Sequence, residues 1–307
     1  MDRRDFLKTS CVAMAGLATS SVASAATEWS KNEKRLFGKK MKGHFTLKQI
    51  SSATDTIGNS YLLKTKNGKV IIVDGGYASD AENLRANIMA EGGHVDMWFI
   101  THPHEDHMEA LATILNDLRS ITIDKVIYSR VPDEFLDLEK GSAENARGYY
   151  RAIDNSTAPI DFIDIHISGQ RFDIDDIGIM VLGVANPEIR TNPYNNQSML
   201  IRFWDDKKSV VILGDAGAEC GNKALAKYPG FFDCDYMQMA HHGQQGCTEE
   251  FYKAINFRAC LWPTPSWVWE PAPENTWLKT RDTRRWMDEK GIKEHHVSCI
   301  EKDYVIK

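Results

Sequence analysis

The stretch His102-Pro103-His104-Glu105-Asp106-His107 decides how this chain is read. Three imidazoles and the Asp106 carboxylate fall within six residues, directly after the apolar run Met97-Trp98-Phe99-Ile100, which reads as a buried strand ending at Thr101-His102. A loop leaving a strand can aim alternate residues the same way. His102 and His104 can then share one metal, while Asp106 and His107 point to a second. Imidazole and carboxylate together suit zinc, manganese or iron, and the absence of thiolates argues against a closed structural zinc site.

Around this stretch, short apolar runs alternate with helical spacing. Residues 60–64 read as a strand, Asn67-Gly68 as a hairpin turn, and Val70-Ile71-Ile72-Val73 as a buried strand ending at Asp74-Gly75-Gly76. Ser79-Asp80-Ala81-Glu82 reads as a capping box opening a helix that runs to about Glu91, with Gly92 as its stop. Met108, Leu111, Leu115 and Leu118 mark another helix. Residues 134–153 read as a polar helical insertion. Strands are expected at residues 179–182, 199–204, 210–213 (ending at Gly214-Asp215) and 236–240 (ending at His241-His242), and a last helix at residues 283–290, stopped by Gly291. Five of the eight tryptophans lie between Trp262 and Trp286, in a Pro-rich stretch. Such a loop can stack sugars or bases, or pack as a stiff cap on the core; packing is the favoured reading.

Composition sets the outer limits. The 307 residues carry a formal net charge of -6, with 42% hydrophobic and 26% charged residues, which excludes disordered, collagen-like and disulfide-scaffold chains. The mild acidity argues against a basic face that coats nucleic acid, so no stable nucleic-acid complex is expected; a nuclease is not excluded, because bound metal can supply positive charge. No apolar run reaches the roughly 18 residues of a transmembrane helix.

Residues 1–26 read as a twin-arginine signal: Arg3-Arg4-Asp5-Phe6-Leu7-Lys8, a short apolar stretch, then the A-x-A site Ala23-Ser24-Ala25. A periplasmic or extracellular protein is expected. The signal has a net charge of +1, so the remainder sits near -7. Residues 27–43 form a basic lead-in with Lys31, Lys34, Arg35, Lys39, Lys40 and Lys42, and residues 44–307 the working domain. Cys220, Cys234, Cys247, Cys260 and Cys299 remain after the signal; their odd number and irregular spacing favour buried free thiols over disulfides.

With these motifs in order, the chain resembles the metallo-β-lactamase fold superfamily through its H-x-H-x-D-H motif, over roughly residues 45–300. The resemblance implies an α/β, four-layer αβ/βα sandwich with two mixed β-sheets and a site at one edge. It implies metal ligands at His102, His104, Asp106 and His107, a bridging carboxylate at Asp215, and a last ligand at His241 or His242, with His242 favoured by rough alignment. Asp74 would support a ligand, or be a plain turn residue. Most relatives carry a further His before the bridging Asp. Here Asn195-Asn196-Gln197-Ser198 stands in that place, a pattern similar to the hydrolase domain of the competence protein ComEC and nearby phosphoesterases. Asn195 then either binds metal in place of the missing imidazole or holds a turn.

The function this implies is binuclear metal-dependent hydrolysis, with two divalent ions (zinc first, manganese or iron as alternatives) acting on a small or polymeric phosphodiester or phosphoester. The ions lower the pKa of a shared water from 15.7 to about 7. Asp106 would orient the resulting hydroxide, and the non-ligand member of His241 and His242 would carry a proton to the leaving oxygen. Hydrolysis of a lactam, lactone or thioester is the alternative, as is a metal-binding protein without turnover. A diiron oxidoreductase is disfavoured, because relatives of that kind carry Glu where this chain has His104.

Overall fold

Alternation of side chains organises the strands. In Val70–Asp74, Val70 and Ile72 point to one side and Ile71 and Val73 to the other; all four are buried. A strand apolar on both faces must be covered on both, which calls for layers above and below. The computed structural model describes residues 38–307, of which residues 41–307 form one compact unit. The signal expected at residues 1–26, and the lead-in as far as residue 37, lie outside the described residues.

The strands are β1 (Phe45–Ile50), β2 (Ser60–Thr65), β3 (Val70–Asp74), β4 (His94–Val95), β5 (Met97–Phe99), β6 (Thr122–Ile123), β7 (Lys125–Tyr128), β8 (Asp161–Asp164), β9 (Arg171–Ile174), β10 (Ile177–Gly183), β11 (Leu200–Trp204), β12 (Ser209–Ile212), β13 (Tyr236–Gln238), β14 (Ala259–Trp262), β15 (Glu294–Val297) and β16 (Val305–Ile306). One seven-stranded sheet has the order β16-β1-β2-β3-β5-β7-β8, the other β15-β14-β13-β12-β11-β10-β9. Both are mixed, and in the same sense along the chain. The first begins with antiparallel β1-β2-β3 and becomes parallel from β3 onward. The second begins with antiparallel β9 to β12 and becomes parallel from β12 to β15.

The core between the sheets contains Leu47, Tyr61, Leu63, Ile71, Val73, Phe99 and Ile127 from the first, and Ile179, Val181, Ile201, Phe203, Val210, Ile212 and Leu261 from the second. Phe99 and Phe203 meet edge to face at 5.9 Å across it. The other face of the first sheet (Leu62, Ile72, Trp98, Val126) packs on helices α1 (Ala81–Ala90), α2 (Glu105–Asn116) and α4 (Ala143–Asp154). Helix α5 (Ala218–Lys227) covers β10; it meets α6 (Glu249–Lys253), which in turn meets α7 (Thr280–Lys290). The architecture is the four-layer αβ/βα sandwich expected from sequence.

Several local expectations change. Ser79 does not cap α1. A 3-10 turn, Ala78–Asp80, precedes that helix, and the Asp80 carboxylate instead accepts the backbone N–H of Tyr77 (3.0 Å) and of Ala53 (2.8 Å). The stop at Gly92 holds: Gly92 and Gly93 donate to the carbonyls of Met89 and Ile88, closing the end of α1. Leu118 lies beyond α2. The insertion is not one helix but α3 (Asp133–Leu136), a 3-10 turn (Asp137–Glu139) and α4, broken where Gly141 interrupts the run. The Trp-rich stretch is divided: Trp262 is fully buried, whereas Trp267 and Trp277 are largely exposed. The five cysteines are free thiols, with Cys220, Cys247 and Cys260 buried.

Candidate metal centre

The candidate residues collect where the parallel strands end. Asp74 closes β3, the His102–His107 run follows β5, Gly214-Asp215 follows β12 and His241-His242 follows β13. Carboxyl ends of parallel strands in both sheets thus face one edge, and the Asn195 turn enters it just before β11.

Local bonds explain how the chain turns there. Gly214 has φ +54°, and a Cβ on it would lie 2.8 Å from Thr101 Cβ. Only glycine lets β12 pass this close to the loop after β5. Gln238, on the next strand, accepts the Leu213 N–H (2.6 Å) and donates to the Gly214 carbonyl (2.9 Å), which aims Asp215 at the edge. His241, His242 and Gly243 then take three successive positive φ values, 53°, 56° and 78°. Non-glycine residues in that region cost energy and persist only where the surroundings enforce them. Here the enforcing bonds come from Thr264 Oγ1 to the His242 carbonyl (2.7 Å) and from His242 Nδ1 to the Pro263 carbonyl (3.1 Å).

Asp106, His107, Asp215 and His242 form a buried four-group cluster whose potential ligand atoms lie within 4.8 Å of one another. His107 Nε2 is 3.3 Å from Asp106 Oδ2 and 3.2 Å from Asp215 Oδ1. His242 Nε2 is 3.0 Å from Asp106 Oδ2 and 3.1 Å from Asp215 Oδ2. Yet Asp106 Oδ2, Asp215 Oδ1 and both Nε2 atoms lack hydrogen-bond partners of proper geometry. Buried polar atoms are rarely left so. Donors about 2.0–2.1 Å from one tetrahedral ion stand about 3.3 Å apart, so the cluster fits a divalent cation in both spacing and chemistry.

His102 and His104 face each other beside this cluster, His102 Nε2 to His104 Nδ1 at 3.0 Å, and the His102 ring lies tilted against His107, centroids 4.1 Å apart. In Asn195-Asn196-Gln197-Ser198, three side chains hold backbone: Asn196 accepts Cys220 N, Gln197 accepts Asn186 N, and Ser198 accepts Asp215 N. Asn195 is different. Its Nδ2 donates to Asn192 Oδ1 (2.9 Å), while its buried Oδ1 has no partner. It therefore holds the turn and also offers a bare oxygen. His241 stands apart from the four-group cluster, Nε2 3.8 Å from Asp215 and 3.4 Å from Asn195 Nδ2.

Behind the donors, a network fixes which nitrogen of each ring faces the site. Asp74 accepts Thr101 N–H (2.7 Å), Thr101 Oγ1–H (2.9 Å) and His107 Nδ1–H (2.8 Å). With its proton given to Asp74, Thr101 Oγ1 is left to accept from His102 Nδ1 (3.1 Å). Both imidazoles thereby commit Nδ1 to the network and turn Nε2 toward the edge. His104 is held the other way: Nε2 donates to Glu139 Oε2 (2.8 Å), which leaves Nδ1 inward. Glu139 and Thr101 were not among the residues expected from sequence. Thr101 adjoins His102 and alternation would have flagged it; Glu139 lies in the insertion, 35 residues away, with no local signal.

The charges are strongly coupled. Burial alone would neutralise Asp106 and Asp215, but His107 and His242 hold both carboxyls well below the usual range. Burial works against charge on His107 and His242 too; Asp215 and Asp106 outweigh it, holding His107 well above its usual value and His242 at about 9. Burial raises Asp74, and burial together with His107 lowers His102. Burial also lowers His241.

The sequence profile of the Metallo-beta-lactamase superfamily matches residues 53–246. The chain belongs to the metallo-beta-lactamase superfamily. Superfamily members are mostly metallohydrolases and bind divalent metals, typically two. No curated protein sequence matches the chain. Solved structures share the fold at low identity. The superfamily protein YhfI from Bacillus subtilis has 13% identity and TM-score 0.52, over 85% of this chain and 98% of that one. A diphosphatase of the PhnP family has 11% identity and TM-score 0.51, over 86% and 98%. CmlA, a diiron beta-hydroxylase from Streptomyces venezuelae, has 11% identity and TM-score 0.54, over 88% of this chain and 55% of that one. At these identities the likeness concerns the fold. No described helix is long and apolar enough to cross a membrane.

Proposed function

We propose that this superfamily member is a binuclear, zinc-dependent phosphodiesterase or phosphoesterase, exported by the twin-arginine route. One observation carries the reading. The Asp215 carboxylate stands against His107 and His242 in the four-group cluster, and the His102 ring lies 4.1 Å from that of His107 and faces His104. Asp106, His107 and His242 would form one donor set with Asp215, and His102, His104 and the bare Asn195 Oδ1 a second beside it. Divalent ions held by these sets would supply an acidified water and neutralise charge on a phosphoryl group.

The chain's own residues do the rest. Asp106 and Asp215, kept ionised by their imidazole neighbours, are ready-made anionic donors. Asp74 and Glu139 keep the rings in the orientation that metal binding requires. His241 stands beside the cluster with 18% of its side chain exposed, so it can reach a substrate. An imidazole at that place would carry a proton to a leaving oxygen. Asn195 in place of a third imidazole, and the His-His-Gly turn, favour a phosphoester over a lactam, lactone or thioester.

The test is a substrate panel on metal-analysed protein. Turnover of bis(p-nitrophenyl) phosphate without turnover of nitrocefin supports the proposal. Nitrocefin turnover alone would favour the carboxylic alternative, and bound metal without turnover on a broad ester panel a binding role. Export rests on Arg3-Arg4 and Ala23-Ser24-Ala25; an R3K/R4K variant should stay in the cytoplasmic fraction.

A further inference from the structure

We infer that Glu139, from the helical insertion, is a positioning residue that holds His104 and the backbone leading into Asn195, so that the insertion forms part of the metal centre. The inference rests on the two-site reading above. Glu139 ends the 3-10 turn Asp137–Glu139, and its carboxylate makes two bonds with different targets. Oε2 accepts Nε2–H of His104 at 2.8 Å, and Oε1 accepts the backbone N–H of Tyr194 at 2.7 Å. His104 follows β5 in the first sheet; Tyr194 immediately precedes Asn195, on the approach to β11 in the second. One carboxylate therefore sets the distance between an imidazole and an amide contributed by different sheets.

The same segment makes a second tie. Tyr194 Oη donates to the Leu136 carbonyl at 2.8 Å, and the Tyr194 ring packs 5.1 Å from the His104 ring. Leu136 is fully buried in the helix-side core, so the clamp has a rigid base. A carboxylate on the far nitrogen of a ligating histidine fixes its tautomer and raises its basicity, and its removal costs about 10–100-fold in metal affinity. Glutamine at this position has one acceptor oxygen for two donors and no charge.

The experiment is a Zn²⁺ titration of metal-free, full-length protein by calorimetry, with Co²⁺ absorption as a spectroscopic readout of imidazole coordination. It compares wild type, Glu139→Gln, His104→Ala and the double variant. Glu139→Gln should weaken one of two equivalents by about 10-fold or more and leave the other within about 2-fold. In the His104→Ala background, Glu139→Gln should cost less than it does in wild type, because only its bond to the Tyr194 N–H remains to be lost. Two equivalents of unchanged affinity in Glu139→Gln overturn the inference, as does a further, additive loss in the double variant. A wild type that holds a single equivalent overturns instead the two-site reading beneath it. Glu139→Asp, which restores charge at shorter reach, should recover part of the lost affinity.

Discussion

Asp74 Oδ2 lies 2.8 Å from His107 Nδ1, with both side chains sealed from solvent. This bond leaves Nε2 of His107 facing Asp106 and Asp215 without a proper hydrogen-bond partner. Burial of a carboxylate is unfavourable unless it is fully bonded, and Asp74 is: it also takes the N–H and hydroxyl of Thr101. The arrangement makes Asp74 the root from which the tautomers of His102 and His107 are set.

Asp74→Asn should therefore lower Zn²⁺ affinity by about 10–100-fold. An amide can accept one of the three donors at Oδ1 but meets the others with N–H. Competition with a chromophoric chelator would measure the loss; unchanged affinity would mean the ring orientations do not depend on Asp74.

The close approach at Gly214 gives a stability prediction. In Gly214→Ala, the new methyl meets Thr101 Cβ at 2.8 Å and Oγ1 at 2.9 Å, at a φ of +54°. The variant should lose about 1–3 kcal/mol. Because Thr101 links Asp74 to His102, metal affinity should fall with it. Thermal unfolding of the metal-free protein and a parallel metal titration would measure both; a melting temperature equal to wild type would contradict the account.

Asp205 carries a pH prediction far from the metal centre. Its buried carboxylate accepts backbone N–H groups of Phe45 (3.1 Å), Lys207 and Lys208 (both 2.8 Å) and the Lys208 ammonium (3.0 Å). Burial pushes its pKa up, but these bonds outweigh it and hold the group below its ordinary value. A depressed folded pKa gives stability that is present above the unfolded value, about 3.9, and lost as pH falls through the folded one. Asp205→Asn should destabilise by about 1.5–3 kcal/mol at pH 7. It should also flatten the acid limb below about pH 4. Urea unfolding at pH 7 and pH 3 would check both; an equal loss at both pH values would contradict the linkage.

Much of this was legible from sequence because the informative residues sit at strand ends. Apolar runs such as Val70–Val73 and Val210–Leu213 announce buried strands, and whatever follows them lands on one edge. Two of the strands that escaped notice have polar reasons. In Phe45–Ile50 the alternation breaks at Gln49, which is buried and bonded to Tyr61 Oη and the His296 carbonyl. Glu294–Val297 carries two histidines and a glutamate; it is held at the sheet edge by pairing with β14, by His296 bonding to Glu301 (2.8 Å) and by His296 stacking on Tyr304 at 3.6 Å. These partners exist only after folding. The same holds for Glu139, whose bond to His104 crosses 35 residues. The choice between His241 and His242 was illegible for another reason. Adjacent residues in a turn of positive φ diverge, and only the bond of His242 to Pro263 shows which ring turns into the four-group cluster.

The central claim is that Asp215 joins two donor sets into one hydrolytic centre. The most direct measurement is the rate of bis(p-nitrophenyl) phosphate hydrolysis as metal-free protein is titrated with Zn²⁺, in wild type and in Asp215→Ala. The account predicts that wild-type activity needs two equivalents to reach its plateau, and that Asp215→Ala shows no measurable turnover at any Zn²⁺ ratio. Full activity in Asp215→Ala, or a wild type that binds two equivalents and hydrolyses no phosphodiester, would contradict it.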